Sequence, residues 1–130
     1  MNIIHLEDDL QLRIMVKRWL KGLDELEDFS SFRLLQVADE EEFWELFYSS
    51  PQPPALVILD ADIGGQIIGP RVLTALRQNE GYKGPVLALS STLGDWELVQ
   101  DQNFSHLAKP VSKNSFVMRI LSLLSLNSQR

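Results

Sequence analysis

The chain has 130 residues, of which 45% are hydrophobic and 23% charged, and this balance predicts one globular domain with a sizeable buried core. The formal net charge is −6 and the 12 Lys and Arg residues are scattered, which argues against direct nucleic-acid binding, because neutralising phosphates requires clustered cations. The chain has no cysteine, which excludes disulfides and thiolate metal sites but does not fix the redox compartment. No apolar stretch approaches the ~20 residues that span a bilayer, so we expect a cytoplasmic protein without a membrane partner.

The first predicted unit is a strand followed by a helix. Residues 3–6 form a short apolar run that ends in three acids, Glu7, Asp8 and Asp9. Within this strand, His5 is expected to be partly buried with its hydrogen bonds satisfied. Asp9 is placed to cap the helix that follows. The apolar stripe of that helix is formed by Leu12, Met15, Val16, Trp19 and Leu23.

The second unit repeats this order. Residues 32–37 read as a strand, and Asp39, followed three residues later by Glu42, is a capping-box-like start for a helix. This helix should pack through Phe43, Leu46 and Phe47, and the segment 49–54 should end it.

The third strand is wholly apolar. Residues 55–59 are hydrophobic and the run ends abruptly in Asp60, whose carboxylate is therefore expected at the C-terminal edge of a strand. Gly64, Gly65 and Gly69 predict a loop after it. Pro70 suits the first turn of a helix that should reach about residue 78.

The last two units complete the alternation. Residues 86–89 predict a strand followed by Ser90, and residues 104–108 a strand followed by Lys109. Only 18 residues separate Ser90 from Lys109, so a helix between them should cover no more than about residues 94–101. Ser112 is placed to cap a final helix. The apolar side of that helix is formed by Phe116, Ile120, Leu123 and Leu124.

Five strand–helix units predict an α/β fold, a parallel sheet with helices on both faces. The expected architecture is a doubly wound (βα)5 flavodoxin-like three-layer sandwich with strand order 2-1-3-4-5. We expect the domain to span residues 1–126 and residues 127–130 to form a C-terminal tail. In such sheets the chemistry lies at the carboxyl ends of the strands, so the acids, the hydroxyl and the lysine should meet on one rim.

Acids crowded on one rim require a positive partner. Glu7, Asp8 and Asp60 would repel one another by ~4 kcal/mol per pair at 4 Å and an effective dielectric of 20. Ligands that are few, all oxygen and open to water suit Mg²⁺, which keeps several waters and uses one or two carboxylates plus phosphate oxygens. The sequence therefore predicts a magnesium site.

The order acid pair, single Asp, Ser and Lys-Pro, each closing a hydrophobic strand, resembles the receiver domain of two-component response regulators over residues 1–126. The resemblance implies that Asp60 accepts a phosphoryl group from a histidine kinase or a histidine phosphotransfer protein, forming an aspartyl phosphate. It implies a magnesium ion held by Asp8, Asp60, the backbone carbonyl of Asp62 and, through water, Glu7. The domain would be a signalling module that catalyses only its own phosphorylation, not a turnover enzyme.

The same resemblance assigns the remaining roles. Lys109 would neutralise charge on the phosphoryl oxygens and the Ser90 hydroxyl would bond one of them, which couples phosphorylation to a conformational change. Asp62 and Thr92 would tune the lifetime of the phosphoryl group. His106 stands where these domains usually carry an aromatic ring that swings on activation, so it is the predicted switch residue. Either its ring moves inward from an outward resting position on phosphorylation, or it stays at the surface and the shortened fourth helix transmits the change by other contacts.

The sequence departs from that family around the site, and these departures keep other interpretations open. Gly64 replaces the usual proline, and Gly69 falls nine residues after Asp60 instead of eight. One alternative is a pseudo-receiver that is never phosphorylated. Another is a haloacid dehalogenase-like phosphatase, because Asp60-Ala61-Asp62 resembles the nucleophile and general acid of those enzymes, although no acid follows Lys109.

The expected partners are proteins. Besides the phosphodonor, the resemblance implies a downstream protein target and allows a phosphorylation-dependent homodimer. The chain would work alone or as the N-terminal receiver of a longer protein.

Overall fold

The computed structural model describes residues 1–23, 32–91, 96 and 101–128, with side chains as far as residue 125. Its strands are β1 (Asn2–Leu6), β2 (Arg33–Val37), β3 (Leu56–Asp60), β4 (Asp62–Ile63), β5 (Gln66–Ile67), β6 (Val86–Ser90) and β7 (Phe104–Ala108). Its helices are α1 (Leu10–Leu23), α2 (Glu40–Ser49), α3 (Gly69–Gln78) and α4 (Lys113–Ser128). None of these helices combines the length and apolarity needed to cross a membrane.

Five strands form one parallel sheet in the order β2-β1-β3-β6-β7. Counted within this sheet alone, that is the predicted order 2-1-3-4-5, so the flavodoxin-like prediction is confirmed. The strand order reverses between β1 and β3, and ligands of open α/β sheets bind at the carboxyl ends of the strands beside such a reversal. Here those ends carry Glu7, Asp8 and Asp60.

Apolar layers cover both faces of the sheet, because alternate residues along a strand point to opposite sides. The layer on the α2 and α3 side includes Ile4, Phe43, Val57, Leu73 and Trp96. The layer on the α1 and α4 side includes Ile3, Val16, Ile58, Phe116 and Ile120. The central strand β3 is buried throughout, which explains why its sequence is a continuous apolar run without alternation.

The predicted helix caps are confirmed. The Asp9 carboxylate accepts a hydrogen bond from the backbone N–H of Gln11 at 2.9 Å, before α1. Asp39 accepts one from the N–H of Glu42 at 2.8 Å, before α2. Ser112 accepts one from the N–H of Ser115 at 3.2 Å, before α4. Each side chain satisfies a backbone donor that has no partner within the helix.

The segment after Asp60 differs from the predicted loop. Residues 62–67 form a two-stranded antiparallel hairpin, with β4 paired to β5. Gly64 and Gly65 make its turn with φ angles of +63° and +82°, and two consecutive positive φ angles are typical of the tight turn that suits the twist of a hairpin. Gly69, which we predicted to lie in the loop, is the first residue of α3.

The predicted stripe of α1 is partly wrong. Val16 and Leu23 are buried as expected, but Met15 is 40% exposed, and Leu20 takes the buried position instead. The predicted helix around residues 94–101 and the tuning residue Thr92 lie outside the described residues, apart from Trp96 and Asp101. Helix α4 continues to Ser128, and the predicted domain boundary at residue 126 stays a prediction.

Candidate functional site

One cleft at the carboxyl edge of the sheet is lined by six of the predicted site residues: Glu7, Asp8, Asp60, Asp62, Ser90 and Lys109. Glu7 and Asp8 follow β1, Asp60 and Ser90 end β3 and β6, and Lys109 follows β7. The cleft has a volume of about 490 Å³. The parallel pairing brings these side chains together, because neighbouring strands run in the same direction and their C-terminal residues are aligned in the sheet.

The three acids form one cluster. A carboxylate oxygen from each of Glu7, Asp8 and Asp60 lies within 4.8 Å of the others. Glu7 is fully buried and Asp60 is 4% exposed, whereas Asp8 is exposed. The inner side of the cluster is therefore buried and the outer side is exposed to solvent. A ligand that enters from solvent would contact Asp8 first.

Lys109 is the cation of the cleft. Its Nζ lies 2.9 Å from Asp60 Oδ1 and 3.6 Å from Glu7 Oε1. Its backbone N–H donates to the Ser90 carbonyl at 2.9 Å, which fixes the start of its side chain against β6. Burial alone lowers the pKa of Lys109, but the hydrogen bond to Asp60 and the charges of Glu7 and Asp60 outweigh it and raise that pKa.

Glu7 is the acid of the cluster whose pKa is shifted furthest from its usual value. Burial and the neighbouring Asp60 carboxylate raise the pKa of Glu7 to about 8, although Lys109 opposes this shift. Its Oε2 accepts a hydrogen bond from the backbone N–H of Asp9 at 3.3 Å. Within the described part of the chain, Oε1 has no hydrogen-bond partner. In the absence of a further cation, burial and the Asp60 carboxylate therefore favour the protonated form of Glu7.

The hairpin after Asp60 holds Asp8 in place. The backbone N–H of Gly64 donates to Asp8 Oδ2 at 2.7 Å. This contact leaves the other oxygen of Asp8 for a ligand. Asp62 is exposed in β4 and lines the cleft together with Gly65 and Ile67. The hairpin thus forms one wall of the cleft.

The donors of this cluster fit a magnesium ion. All are oxygens, the ligand atoms that Mg²⁺ prefers, and one carboxylate oxygen from each acid lies within 4.8 Å of the others. Buried Glu7 Oε1 makes no hydrogen bond among the described residues and lies 3.6 Å from Lys109 Nζ, so it is an acceptor that a metal-bound water could satisfy. Zinc sites ordinarily include nitrogen or sulfur ligands, which this cluster lacks.

Ser90 lines the cleft, and its hydroxyl is hydrogen-bonded to two side chains that do not line the cleft. Ser90 is 3% exposed, and its Oγ lies 2.8 Å from His106 Nε2. The indole N–H of Trp96 donates to the same Oγ at 2.9 Å. The outward resting position predicted for His106 is therefore wrong, because its half-buried ring is turned toward Ser90.

Trp96 and Gly69 are site residues that the sequence analysis missed. Trp96 is 2% exposed. A Cβ atom added at Gly69 would lie 2.2 Å from the carbonyl oxygen of Asp60 and 2.8 Å from the Trp96 ring. Gly69 thus allows α3 to begin directly against the backbone of Asp60. The glycine after Asp60 was a visible signal for this contact, but nothing local to Trp96 indicated its hydrogen bond to Ser90.

His5 is more deeply buried than predicted. It is fully buried, its Nδ1 lies 3.1 Å from Gln36 Nε2, and its Nε2 has no partner among the described residues. Burial, with the positive charges of Arg13 and Lys109, lowers the pKa of His5 to about 3. His5 is therefore fully buried with one ring nitrogen hydrogen-bonded and the other without a partner among the described residues, not partly buried and satisfied.

Comparisons with known proteins identify the fold. No protein-family model matches the chain, and no curated protein matches its sequence. Solved structures do match. A response regulator receiver protein from Sinorhizobium medicae has a TM-score of 0.75 at 16% identity, covering 96% of this chain and 94% of that one. Chemotaxis protein CheY4 from Vibrio cholerae has a TM-score of 0.72 at 17% identity, covering 94% and 97%.

A third structure bears on the metal site. It is the receiver domain of sensor histidine kinase PA1611 from Pseudomonas aeruginosa, with a magnesium ion coordinated in its active-site cleft. Its TM-score is 0.68 at 16% identity, and the match covers 95% of this chain and 97% of that one. The three matches extend over nearly the whole chain, and at these low sequence identities they show a shared fold.

Proposed function

We propose that this chain, which has the fold of response regulator receiver domains, accepts a phosphoryl group on Asp60 and signals through the resulting change in shape. The observation that carries the proposal is the surroundings of Asp60. This carboxylate is nearly buried, lies 2.9 Å from a lysine ammonium, and shares a metal-sized cluster with two further acids. A strand-end acid that only caps a helix or faces solvent needs none of these neighbours.

The chemistry of the step follows from these groups. An Asp60 oxygen attacks the phosphorus of the donor, the bond from phosphorus to the donor's leaving atom breaks, and that atom leaves with its electron pair. Lys109, already in contact with Asp60, holds positive charge where negative charge accumulates on the phosphoryl oxygens. Burial strengthens this attraction, because little water screens it.

Magnesium would be held by Asp8, Asp60 and the backbone carbonyl of Asp62, with Glu7 acting through water. A bound Mg²⁺ supplies further neutralisation of the phosphoryl oxygens. Binding it would require Glu7 to lose its proton, because a cation favours the carboxylate. Asp62 would also act on the water that hydrolyses the aspartyl phosphate, a role in which we place Thr92 as well.

The signal would leave the site through Ser90. Ser90 lines the cleft, one residue beyond Leu89, the sheet partner of Asp60. A new bond from Ser90 to a phosphoryl oxygen would move the end of β6 and the segment after it, and so change a protein-binding face. The phosphodonor would be a histidine kinase or a histidine phosphotransfer protein in the cytoplasm, and the output a downstream protein or a homodimer.

Intact-protein mass spectrometry tests the proposal. Incubation with acetyl phosphate and Mg²⁺ should add the mass of one phosphoryl group to the wild type and none to Asp60→Asn. Asp39→Asn, which changes an acid that caps α2 outside the cleft, should gain the adduct as the wild type does. An unmodified wild type would instead support a pseudo-receiver. Release of phosphate from many equivalents of a phosphate ester would support a phosphatase.

A further inference from the structure

Helix α2 carries a stacked pair of aromatic rings that reaches the solvent. Tyr48 is 65% exposed, and its ring stacks on that of Trp44, with the centroids 5.7 Å apart and the planes at 25°. Trp44 is half-buried and packs against the core, whereas Phe43 on the inner side of the helix is fully buried. Because residues four apart lie on the same side of a helix, Tyr48 extends the aromatic packing of Trp44 out to the surface.

Each ring of the pair donates its polar hydrogen to a carboxylate. Trp44 Nε1 lies 3.1 Å from Glu40 Oε2, and the Tyr48 hydroxyl lies 2.7 Å from Glu80 Oε1. The face of an aromatic ring is negative and attracts cations. A hydrogen bond to a carboxylate polarises the ring and places a negative charge at its edge. Both effects favour a cation above the pair.

The helix around the pair is acidic. Its ten residues include four glutamates and no Lys or Arg. Glu41 precedes Trp44 by three residues and so lies on the same side of the helix, where it is exposed and forms no ion pair among the described residues. Glu42 is turned about 100° further around the helix. The nearest described cation, Arg71, is paired with Glu40.

The same aromatic cluster already binds one cation inside the chain. The Arg77 guanidinium lies over the ring of Tyr82, 5.6 Å from its centroid. Phe47 contacts both Tyr82 and Tyr48, so the two tyrosines belong to one group of rings. A guanidinium is planar and stacks on aromatic faces, which a compact ammonium does not do. Arginine is therefore the side chain that suits the exposed end of this cluster best.

We propose that the surface formed by Glu41, Trp44 and Tyr48, here called the α2 surface, binds an arginine-rich segment of a partner protein. The guanidinium groups would stack on the two rings, and the glutamates of the helix would supply the complementary charge. None of the three residues lines the cleft around Asp60. The inference is therefore independent of the proposed phosphorylation, which the mass-spectrometric experiment tests separately.

A synthetic peptide of alternating arginine and glycine is the probe, and calorimetry at low ionic strength measures its affinity. The wild type should bind it, and Tyr48→Leu, which removes the exposed ring, should bind it about two- to fivefold more weakly. The corresponding lysine–glycine peptide should bind the wild type more weakly than the arginine peptide. No binding by the wild type would overturn the inference. Equal affinities of the wild type and Tyr48→Leu would also overturn it, because the net charge of −6 would then account for binding.

Two adjacent glutamates provide a matched pair of charge changes. Glu41→Gln should weaken binding of the arginine peptide, whereas Glu42→Gln, which removes the same charge outside the α2 surface, should leave the affinity unchanged. Equal losses for both variants would indicate attraction by overall charge and would overturn the inference.

NMR of the wild type tests the surface without a substitution. The arginine peptide should shift the indole N–H resonance of Trp44 and leave that of Trp96, which is 2% exposed, in place. An unmoved Trp44 resonance in the bound state would overturn the inference. Self-association of the wild type that Tyr48→Leu abolishes, without binding of the peptide, would assign the α2 surface to a second copy of this chain and would overturn it as well.

Discussion

Glu7→Gln replaces a buried carboxylic acid beside Asp60 with an amide of the same shape, and it should remove a pH-dependent loss of stability from the metal-free protein. In the folded state the pKa of Glu7 is raised from 4.5 to about 8. Between these values the folded protein holds a proton that the unfolded chain has released. Stability is therefore lost progressively as the pH rises from 4.5 through 8.

The range from pH 7 to pH 9 separates this effect from the other shifted pKa values among the described residues. With the pKa of folded Glu7 raised to about 8, the free energy of unfolding should fall by roughly 1 kcal/mol between pH 7 and pH 9. His5 changes the free energy of unfolding in the opposite direction, because folding lowers its pKa from 6.5 to about 3. This change occurs mainly below pH 6.5, outside the range from pH 7 to pH 9. The pKa values of Lys109 and Tyr82 are raised by folding, so the free energy of unfolding falls on their account only above about pH 10.

Urea unfolding in the presence of a chelator measures this difference. The wild type should lose stability between pH 7 and pH 9, and Glu7→Gln should not. Glu41→Gln, which changes an exposed acid of α2, should behave as the wild type does. Saturating Mg²⁺ should abolish the slope of the wild type, because a bound cation keeps Glu7 ionised. Equal slopes for the wild type and Glu7→Gln would refute the raised pKa and the electrostatic account of the cluster.

Three further predictions follow from the cleft. Asp8→Asn keeps an oxygen that can accept from Gly64 but removes the charge, so the rise in melting temperature with Mg²⁺ should vanish; a rise equal to that of the wild type would exclude Asp8 as a ligand. Gly69→Ala should destabilise by about 1–3 kcal/mol in urea unfolding, because the new Cβ would meet Asp60 and Trp96. Gly22→Ala, which has open space in α1, should instead stabilise by roughly 0.5–1 kcal/mol, and similar effects at both glycines would refute the packing argument. Asp62→Ala should change the rate of dephosphorylation without blocking phosphorylation, and decay identical to the wild type would remove its side chain from the site.

The features that could be predicted from the sequence are those that depend on residues close together along the chain. The caps at Asp9, Asp39 and Ser112 depend on bonds two or three residues along the chain, so composition revealed them. The rim was predictable for a related reason. In β1, β3, β6 and β7 the apolar run ends at a polar residue. Parallel pairing then brings Asp60 and Lys109 together, so the rim could be predicted without any knowledge of side-chain packing.

The remaining features depend on contacts between distant parts of the chain. His5 was predicted as partly buried, because strand position alone does not reveal that β1 is central and covered on both faces. The bonds of Ser90 to Trp96 and His106 depend on how separate segments fold over β6. The hairpin after Asp60 is different, since consecutive Gly64 and Gly65 are a recognised turn signal that we interpreted as a plain loop.

Mapping the phosphorylated residue tests the central claim most directly. Borohydride reduces an aspartyl phosphate to homoserine, so protein treated with acetyl phosphate and Mg²⁺, reduced and digested can be sequenced by tandem mass spectrometry. The account predicts homoserine at position 60 and at no other acid. Homoserine at Asp8 or Asp62, with Asp60 unmodified, would contradict it.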